Sequence, residues 1–502
     1  MREVWTTGRI RAAEDVVLAR TQPGALMRRA AFAVSVHAAR LLRERTGGVA
    51  GRHVTLLVGA GNNGGDALWA GAFLRKRGVG VTAVLLAPEK ANAEGLAALR
   101  RAGGRAVAAD EAGNALDNAL DADLVIDGIV GLAARGGLRP DAAALVERVT
   151  APILAVDLPS GVDPDIGAVR GPAVTAAATV TFGAYKPLHV LHPAANHCGD
   201  VHLIDIGLRP ELGEPDLRVL DADDVAARLP LPQPADDKYT QGVVGVAAGG
   251  STYPGAAVLT TSGAVLTKSG MVRYAGSAAD VVRARWPEVI ATGSLSDAGR
   301  VQAWVTGPGL GTGSGVRETV REVLAADVPV IADADAVNVL AAHPDLWDAR
   351  DPGTPLVLTP HEREFARLAG EVGDDRVTAV TAAAKRFNAV VLLKGHSTVI
   401  ADPDGNVFVH HTGRAWPATA GSGDVLSGII GALLAAGITP SYAAACAAWL
   451  HDSAAAIAAS GAPAPASAIA EAIPAAIRAL CEPKVPFGTY SVPKGTLGAP
   501  GR

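Results

Sequence analysis

The chain has 502 residues, a length that fits two large domains or about three of ordinary size. Hydrophobic residues make up 49% and charged ones 19%, which supplies real cores and excludes a largely disordered chain. Lys and Arg number 45 against 50 Asp and Glu, a net charge of −5, so the basic surface of a nucleic-acid binder is missing.

Met1 to Asp15 carries charges throughout and no apolar run, so no signal peptide is expected. Three cysteines, Cys198, Cys446 and Cys481, form no CxxC pair, and a reducing, cytoplasmic setting fits them. Helices are predicted over Ala25–Arg45 and Asp66–Arg77. Buried parallel strands are predicted over His53–Val58, Gly80–Leu86, Leu124–Asp127, Ile153–Asp157 and Thr179–Phe182. Arg228–Asp237 brings three prolines and two acids together, which stiffens a linker. Beyond it, strands are predicted over Gly242–Ala248, Ala303–Thr306, Val328–Asp333, Leu356–Thr359 and Ala389–Leu393. The apolar run Val425–Ile438 is broken by Gly428, Gly431 and Gly437 and is too short to span a bilayer. Alternating β and α elements imply two α/β domains with parallel sheets covered on both faces. Their bounds are 1–225 and 239–485, with a linker at 226–238 and a tail from 486 to 502.

In the first half, the strand ending at Val58 runs into Gly59-Ala60-Gly61-Asn62-Asn63-Gly64-Gly65-Asp66. A strand, a glycine turn and a helix N-terminus together favour a phosphate, through free N–H groups and the helix dipole. An ordinary dinucleotide site also needs an acid about 20 residues on, at the end of the next strand. That strand ends Leu85-Leu86-Ala87-Pro88, with Glu89 beyond the proline, which argues against an ordinary dehydrogenase. Asn62 and Asn63 add amide oxygens, and Asp127, Asp157 and Ser160 close later strands. Strand ends of an open sheet converge on one crevice, so these groups can meet there. Their alternative role is to cap the helices that follow.

These segments, with Asp127-Gly128, Gly131, Val156-Asp157-Leu158-Pro159-Ser160-Gly161 and Phe182-Gly183-Ala184-Tyr185-Lys186-Pro187, resemble the NAD(P)H-hydrate epimerase family. The resemblance implies a Rossmann-like three-layer α/β/α domain. It implies that Asn62, Asn63, Gly64, Gly65 and Asp66 line the hydrated nucleotide, together with Gly131, Leu132, Ala133, Ala134, Arg135, Gly136 and Gly137. It also implies potassium held by Asn63, Asp127 and Ser160, with Asp157 at the reacting ring. The chain departs from the family's usual pattern at Ala67 and at Leu132-Ala133-Ala134-Arg135. Chemically, a carboxyl such as Asp157 can protonate a departing C6 hydroxyl and guide water to the other face.

In the second half, Thr419-Ala420-Gly421-Ser422-Gly423-Asp424 opens an apolar helix. N–H donors there surround a phosphoryl group, and Asp424 stands where a base meets an alcohol; its alternative role is a helix cap. Lys394-Gly395-His396-Ser397-Thr398 follows a strand and adds a cation and hydroxyls. The pair of motifs resembles the ribokinase-like superfamily and implies its α/β/α fold. Ala248-Gly249-Gly250-Ser251-Thr252-Tyr253-Pro254-Gly255-Ala256-Ala257, Gly307-Pro308-Gly309-Leu310-Gly311, Asp333-Ala334-Asp335-Ala336-Val337-Asn338 and Thr359-Pro360-His361-Glu362-Arg363-Glu364-Phe365 narrow the resemblance to ADP/ATP-dependent NAD(P)H-hydrate dehydratases. It implies that Lys394, Gly395, His396, Ser397, Thr398 and Gly423 hold the nucleotide. Ala256, Gly309, His361 and Asp424 then contact the hydrated cofactor, with Asp424 taking the C6 hydroxyl proton.

The expectation for the whole chain is therefore a bifunctional enzyme acting on NADHX and NADPHX. Potassium would serve the first half, and Mg2+ with ADP the second, the epimerase-first order pointing to ADP over ATP. A homo-oligomer, a tetramer or higher, is implied, with no nucleic-acid or membrane partner. Asp424 and Lys394 alone also permit a small-molecule kinase, and a nucleotide-binding scaffold without activity is the non-enzymatic alternative. His189, His192, His197, His202, His410 and His411 lack ligand spacing and read as surface or packing residues.

Overall fold

The computed structural model describes residues 1–110, 120–133, 135–230, 232–267, 269–311 and 313–481. Ala134 and the expected tail from residue 486 lie outside them.

The apolar runs of the first half become a seven-stranded, all-parallel sheet. Its order is Arg105–Ala108, Gly80–Leu85, His53–Val58, Leu124–Gly128, Ile153–Val156, Ala178–Phe182 and Asp200–Ile204. Alternate residues enter opposite cores: Val54, Leu56 and Val58 join one, Leu57 the other. Burial on both faces explains why these strands read as continuous apolar runs. Winding reverses between His53–Val58 and Leu124–Gly128, and the crevice opens at that point, over the strand C-termini.

The second half repeats this plan inside an eleven-stranded sheet. Ile290–Thr292, Met271–Ala275, Val243–Ala247, Ala303–Thr306, Val330–Ala332, Leu356–Leu358 and Val390–Leu393 are parallel neighbours in that order. The antiparallel strands Ser397–Ala401 and Val407–His411 extend it. Beyond them lie Leu217–Val219 and Arg2–Val4, which come from either side of the first sheet in the chain. Those two strands were not expected, because three residues are too few to show a period.

The helix Ala222–Arg228 crosses the boundary expected at residue 225, and it buries Val225 and Leu229 in the core of the second half. Helix Ser422–Ala435 is buried on nearly every face and crosses Pro254–Thr267 closely. A Cβ on Gly428 would stand 2.2 Å from the Thr260 carbonyl oxygen, so only glycine permits that crossing.

Candidate active sites in the two halves

The first site is built at the switch point of the first sheet. Its helix spans Asn62–Arg75 and starts four residues earlier than the sequence suggests, so Asn62 to Asp66 form its first turns. Gly64 and Gly65 do not break the helix; Gly64 lets it approach the strand-end loop, and Gly65 faces the side chains of Met27 and Asn92. A Cβ on Gly64 would lie 2.3 Å from the Gly59 carbonyl oxygen. Asn63 is buried, and its Nδ2 donates to the carbonyl oxygens of Val130 at 2.8 Å and Val156 at 2.6 Å. Its Oδ1 faces Gly131, where a Cβ would come within 3.1 Å.

Asp127 is 1% exposed. It accepts from Ile129 N at 3.1 Å, Ser160 N at 2.8 Å and Ser160 Oγ at 2.7 Å. Ser160 Oγ accepts in turn from Val130 N at 3.2 Å. Among the described residues no cationic side chain reaches Asp127. Burial pushes its carboxyl up, and the Ser160 and Ile129 hydrogen bonds pull the other way. Asn63, Asp127, Ser160 and the loop at Gly131 are thus brought together. Arg135 points elsewhere, donating to Asp165 Oδ2 at 2.7 Å and to Leu132 O at 3.0 Å.

Asp157 follows its strand at φ 68°, a left-handed conformation that aims the side chain out of the strand path. Its Oδ1 accepts from Lys186 Nζ at 2.6 Å, Thr181 Oγ1 at 3.0 Å and Phe182 N at 3.2 Å. The Lys186 side chain is 1% exposed, so this is a fully buried ion pair. Lys186 belongs to the Phe182–Pro187 motif, which by itself does not give it this role. The Lys-Pro after a strand end was the available signal.

Asp66 is buried with an unpartnered Oδ1; burial, then the charges of Asp157 and Glu14, push its carboxyl well above the usual range. Glu14 comes from the first helix, Thr7–Leu18, and no motif marked it. Burial and the Asp157 charge raise it as well. His189 is a packing residue: its Nδ1 accepts from Lys186 N at 3.0 Å, and burial beside the Lys186 charge lowers it to about 3.

The second site lies where Val330–Ala332 and Val390–Leu393 end beside the start of Ser422–Ala435. Asp333 is 1% exposed; it heads the motif Asp333–Asn338, which by itself gives it no role. Its Oδ1 accepts from Lys394 Nζ at 2.7 Å and Ala334 N at 2.8 Å, and its Oδ2 accepts from Ser427 Oγ at 2.7 Å. Desolvation works against the Lys394 charge, but the carboxylates of Asp333, Glu364 and Asp424 outweigh it and raise the ammonium. Burial, then repulsion from Asp333, lifts Asp424 to about 7, with Lys394 opposing and Asp335 adding to the rise. Gly423 fits between these groups, because a Cβ there would sit 3.4 Å from Lys394 Nζ.

A cavity of about 520 Å³ opens here, lined among others by His361, Lys394, Gly395, His396, Thr398 and Gly423. Ser397 is absent from its wall; its side chain turns to Val190 O at 3.0 Å in the first half. His361 caps the helix Glu362–Ala369, its Nδ1 accepting from Glu364 N at 3.1 Å. Ala256 and Gly309 meet each other outside that wall, since a Cβ on Gly309 would come within 2.6 Å of the Ala256 Cβ. Among the described residues no group of three or more His, Cys, Asp or Glu is placed to hold a metal.

Two family models match. Residues 23–188 match the YjeF-related protein N-terminus, and residues 244–475 match NAD(P)H-hydrate dehydratase. The bifunctional NAD(P)H-hydrate repair enzyme Nnr of Mycobacterium tuberculosis is 54% identical over 449 residues, covering 89% of this chain and 92% of that protein. The chain belongs to the bifunctional NAD(P)H-hydrate repair enzymes. The Mycobacterium leprae member is 53% identical over 463 residues, covering 91% of this chain and 94% of that one. A solved ADP/ATP-dependent NAD(P)H-hydrate dehydratase from Bacillus subtilis is 29% identical, covering 52% of this chain and 97% of that one with a TM-score of 0.47. Each matched stretch is an α/β domain built on a mainly parallel sheet.

Proposed function

We propose that the protein repairs hydrated nicotinamide nucleotides in two steps, at two sites in one chain. The first half interconverts the C6 epimers of NADHX and NADPHX. The second half dehydrates the S epimer to NADH or NADPH with ADP, giving AMP and phosphate. The observation that carries this reading is the presence of both carboxylate sites, Asp157 with Lys186 and Asp424 with Lys394, in a chain aligned over 89% of its length with a bifunctional relative. That alignment sets aside the small-molecule kinase.

At the first site, Asp66 supplies a proton to the C6 hydroxyl, and the ring nitrogen pushes water out to leave an iminium. Water then adds to the opposite face and the proton returns to Asp66, so nothing is consumed. Asp157 is committed through Oδ1 to Lys186, Thr181 and Phe182, which leaves its other oxygen to orient that water. This moves the proton transfer from Asp157, the sequence's first candidate, to Asp66. The oxygen donors of Asn63, Asp127 and Ser160 fit potassium, since Asp127 is a buried carboxylate whose present partners are all neutral donors. Potassium bound there would balance that charge.

At the second site, Asp424 takes the C6 hydroxyl proton, and the oxygen attacks the terminal phosphorus of ADP as the bond to AMP breaks. The ring nitrogen then expels phosphate from C6, and loss of a C5 proton restores the dihydronicotinamide. Lys394, Gly395, His396, Thr398 and Gly423 hold the nucleotide phosphates, which bring Mg2+ with them. The setting is cytoplasmic, and among the described residues no helix is long and apolar enough to cross a membrane. The subunits assemble as a homo-oligomer.

The test is a pair of substitutions in the whole chain. Asp157→Asn should stop epimerisation and spare dehydration of the S epimer, and Asp424→Asn should do the reverse. Loss of both activities in either variant would contradict two separate sites.

A further inference from the structure

The segment that leaves the epimerase site at Lys186 reaches the nucleotide loop of the other half within a few residues. His192 N donates to Ser397 Oγ at 2.7 Å, and Ser397 Oγ donates to Val190 O at 3.0 Å. Ser397 is 1% exposed, so these bonds fix the base of the loop away from water. The His192 ring stands edge-on to the His396 ring, with centroids 4.4 Å apart.

Asn196 closes the contact. Its Oδ1 faces Nε2 of His396 at 3.1 Å, and its Nδ2 faces Nδ1 of His192 at 3.2 Å. An amide oxygen only accepts and an amide nitrogen only donates. Nε2 of His396 therefore carries the hydrogen toward Asn196, and the chain runs His396 to Asn196 to His192. His396 also lines the 520 Å³ cavity, two residues from Lys394. A histidine on a short connection between strands Val390–Leu393 and Ser397–Ala401 would otherwise lose rotamer freedom when a ligand binds.

We infer that Asn196 and His192, in the half that carries the epimerase site, are positioning residues for adenine-nucleotide binding in the dehydratase half, acting through the tautomer and ring plane of His396. The inference rests on the reading of Lys394–Thr398 as the nucleotide loop. It makes ADP affinity a property of both halves, held at a contact between them.

The experiment uses the full chain with Asn196→Ala, His396→Ala and the double variant. ADP KM and kcat for dehydration of (S)-NADHX, epimerisation rate and Tm are measured for each. Asn196→Ala should raise the ADP KM about fivefold, the size of one ordinary hydrogen bond, with kcat within about twofold. Epimerisation and Tm should be unchanged, because Asn196 is exposed and outside the epimerase site. His396→Ala should raise the KM at least as much, and the double variant should be no worse than His396→Ala alone. An unchanged KM for Asn196→Ala beside a raised KM for His396→Ala would overturn the positioning role and leave the nucleotide loop standing. Losses that multiply in the double variant would also overturn it, since Asn196 would then act by another route. Silence of both single variants would overturn the nucleotide-loop reading together with the inference.

Discussion

Replacing Lys186 with methionine separates what the buried ion pair does for folding from what it does for chemistry. The Lys186 side chain is 1% exposed and its Nζ lies 2.6 Å from Asp157 Oδ1, with Thr181 Oγ1 at 2.7 Å. Methionine fills most of the volume but leaves Asp157 as a buried carboxylate without its cation. Breaking one side of such a pair costs roughly 3–5 kcal/mol. For a unit of about 200 residues that is about 6–20 °C in Tm. Adding Asp157→Asn removes the stranded charge, and asparagine tolerates the left-handed backbone at φ 68°. The double variant should therefore recover most of the lost Tm and still fail to epimerise. Epimerisation is followed by supplying pure (R)-NADHX with ADP and letting the dehydratase half report the S epimer as it forms. Unchanged stability in Lys186→Met would refute the energetic reasoning, and epimerisation by the double variant would refute the assignment of Asp157.

Dehydration should depend on pH through Asp424, which burial lifts to about 7. A base must be ionised, so kcat/KM should fall as pH drops through about 7, and a kcat/KM flat from pH 6 to 8 would remove Asp424 from that role. Asp424→Asn should lower kcat by about 10²–10⁴ with epimerisation intact, as turnover of the pure S epimer would record. Replacing potassium with choline in the buffer should slow epimerisation and leave dehydration of the S epimer untouched, with Ser160→Ala weakening the potassium response. Gly428→Ala places a methyl group 2.2 Å from the Thr260 carbonyl oxygen. It should destabilise the second half by about 1–3 kcal/mol in urea unfolding and lower dehydration by moving the helix that carries Asp424.

Much of the architecture was legible because it repeats one local rule. Strands such as His53–Val58 and Val390–Leu393 are buried on both faces, so they stand out as apolar runs before glycine turns. Strand ends then brought Asn63, Asp127 and Ser160 together across nearly 100 residues of sequence. What stayed hidden depends on tertiary placement. Arg2–Val4 and Leu217–Val219 become strands only because the edge beside Val407–His411 is there to pair with. Glu14 sits on a helix with no motif, and only folding sets it near Asp66 and Asp157. Ser397 looked like a phosphate ligand from its place beside Lys394, yet its side chain packs against the other half. The start of the helix at Asn62 was missed because glycine pairs read as breaks, whereas here they serve close packing.

The most direct test supplies the purified protein with a mixture of both NADHX epimers and ADP, and follows dihydronicotinamide absorbance and phosphate release. The account predicts complete recovery of both epimers, with one phosphate and one AMP for each NADH. Recovery that stops at the S fraction would contradict an active epimerase half, and phosphate retained on a stable product would contradict the repair function itself.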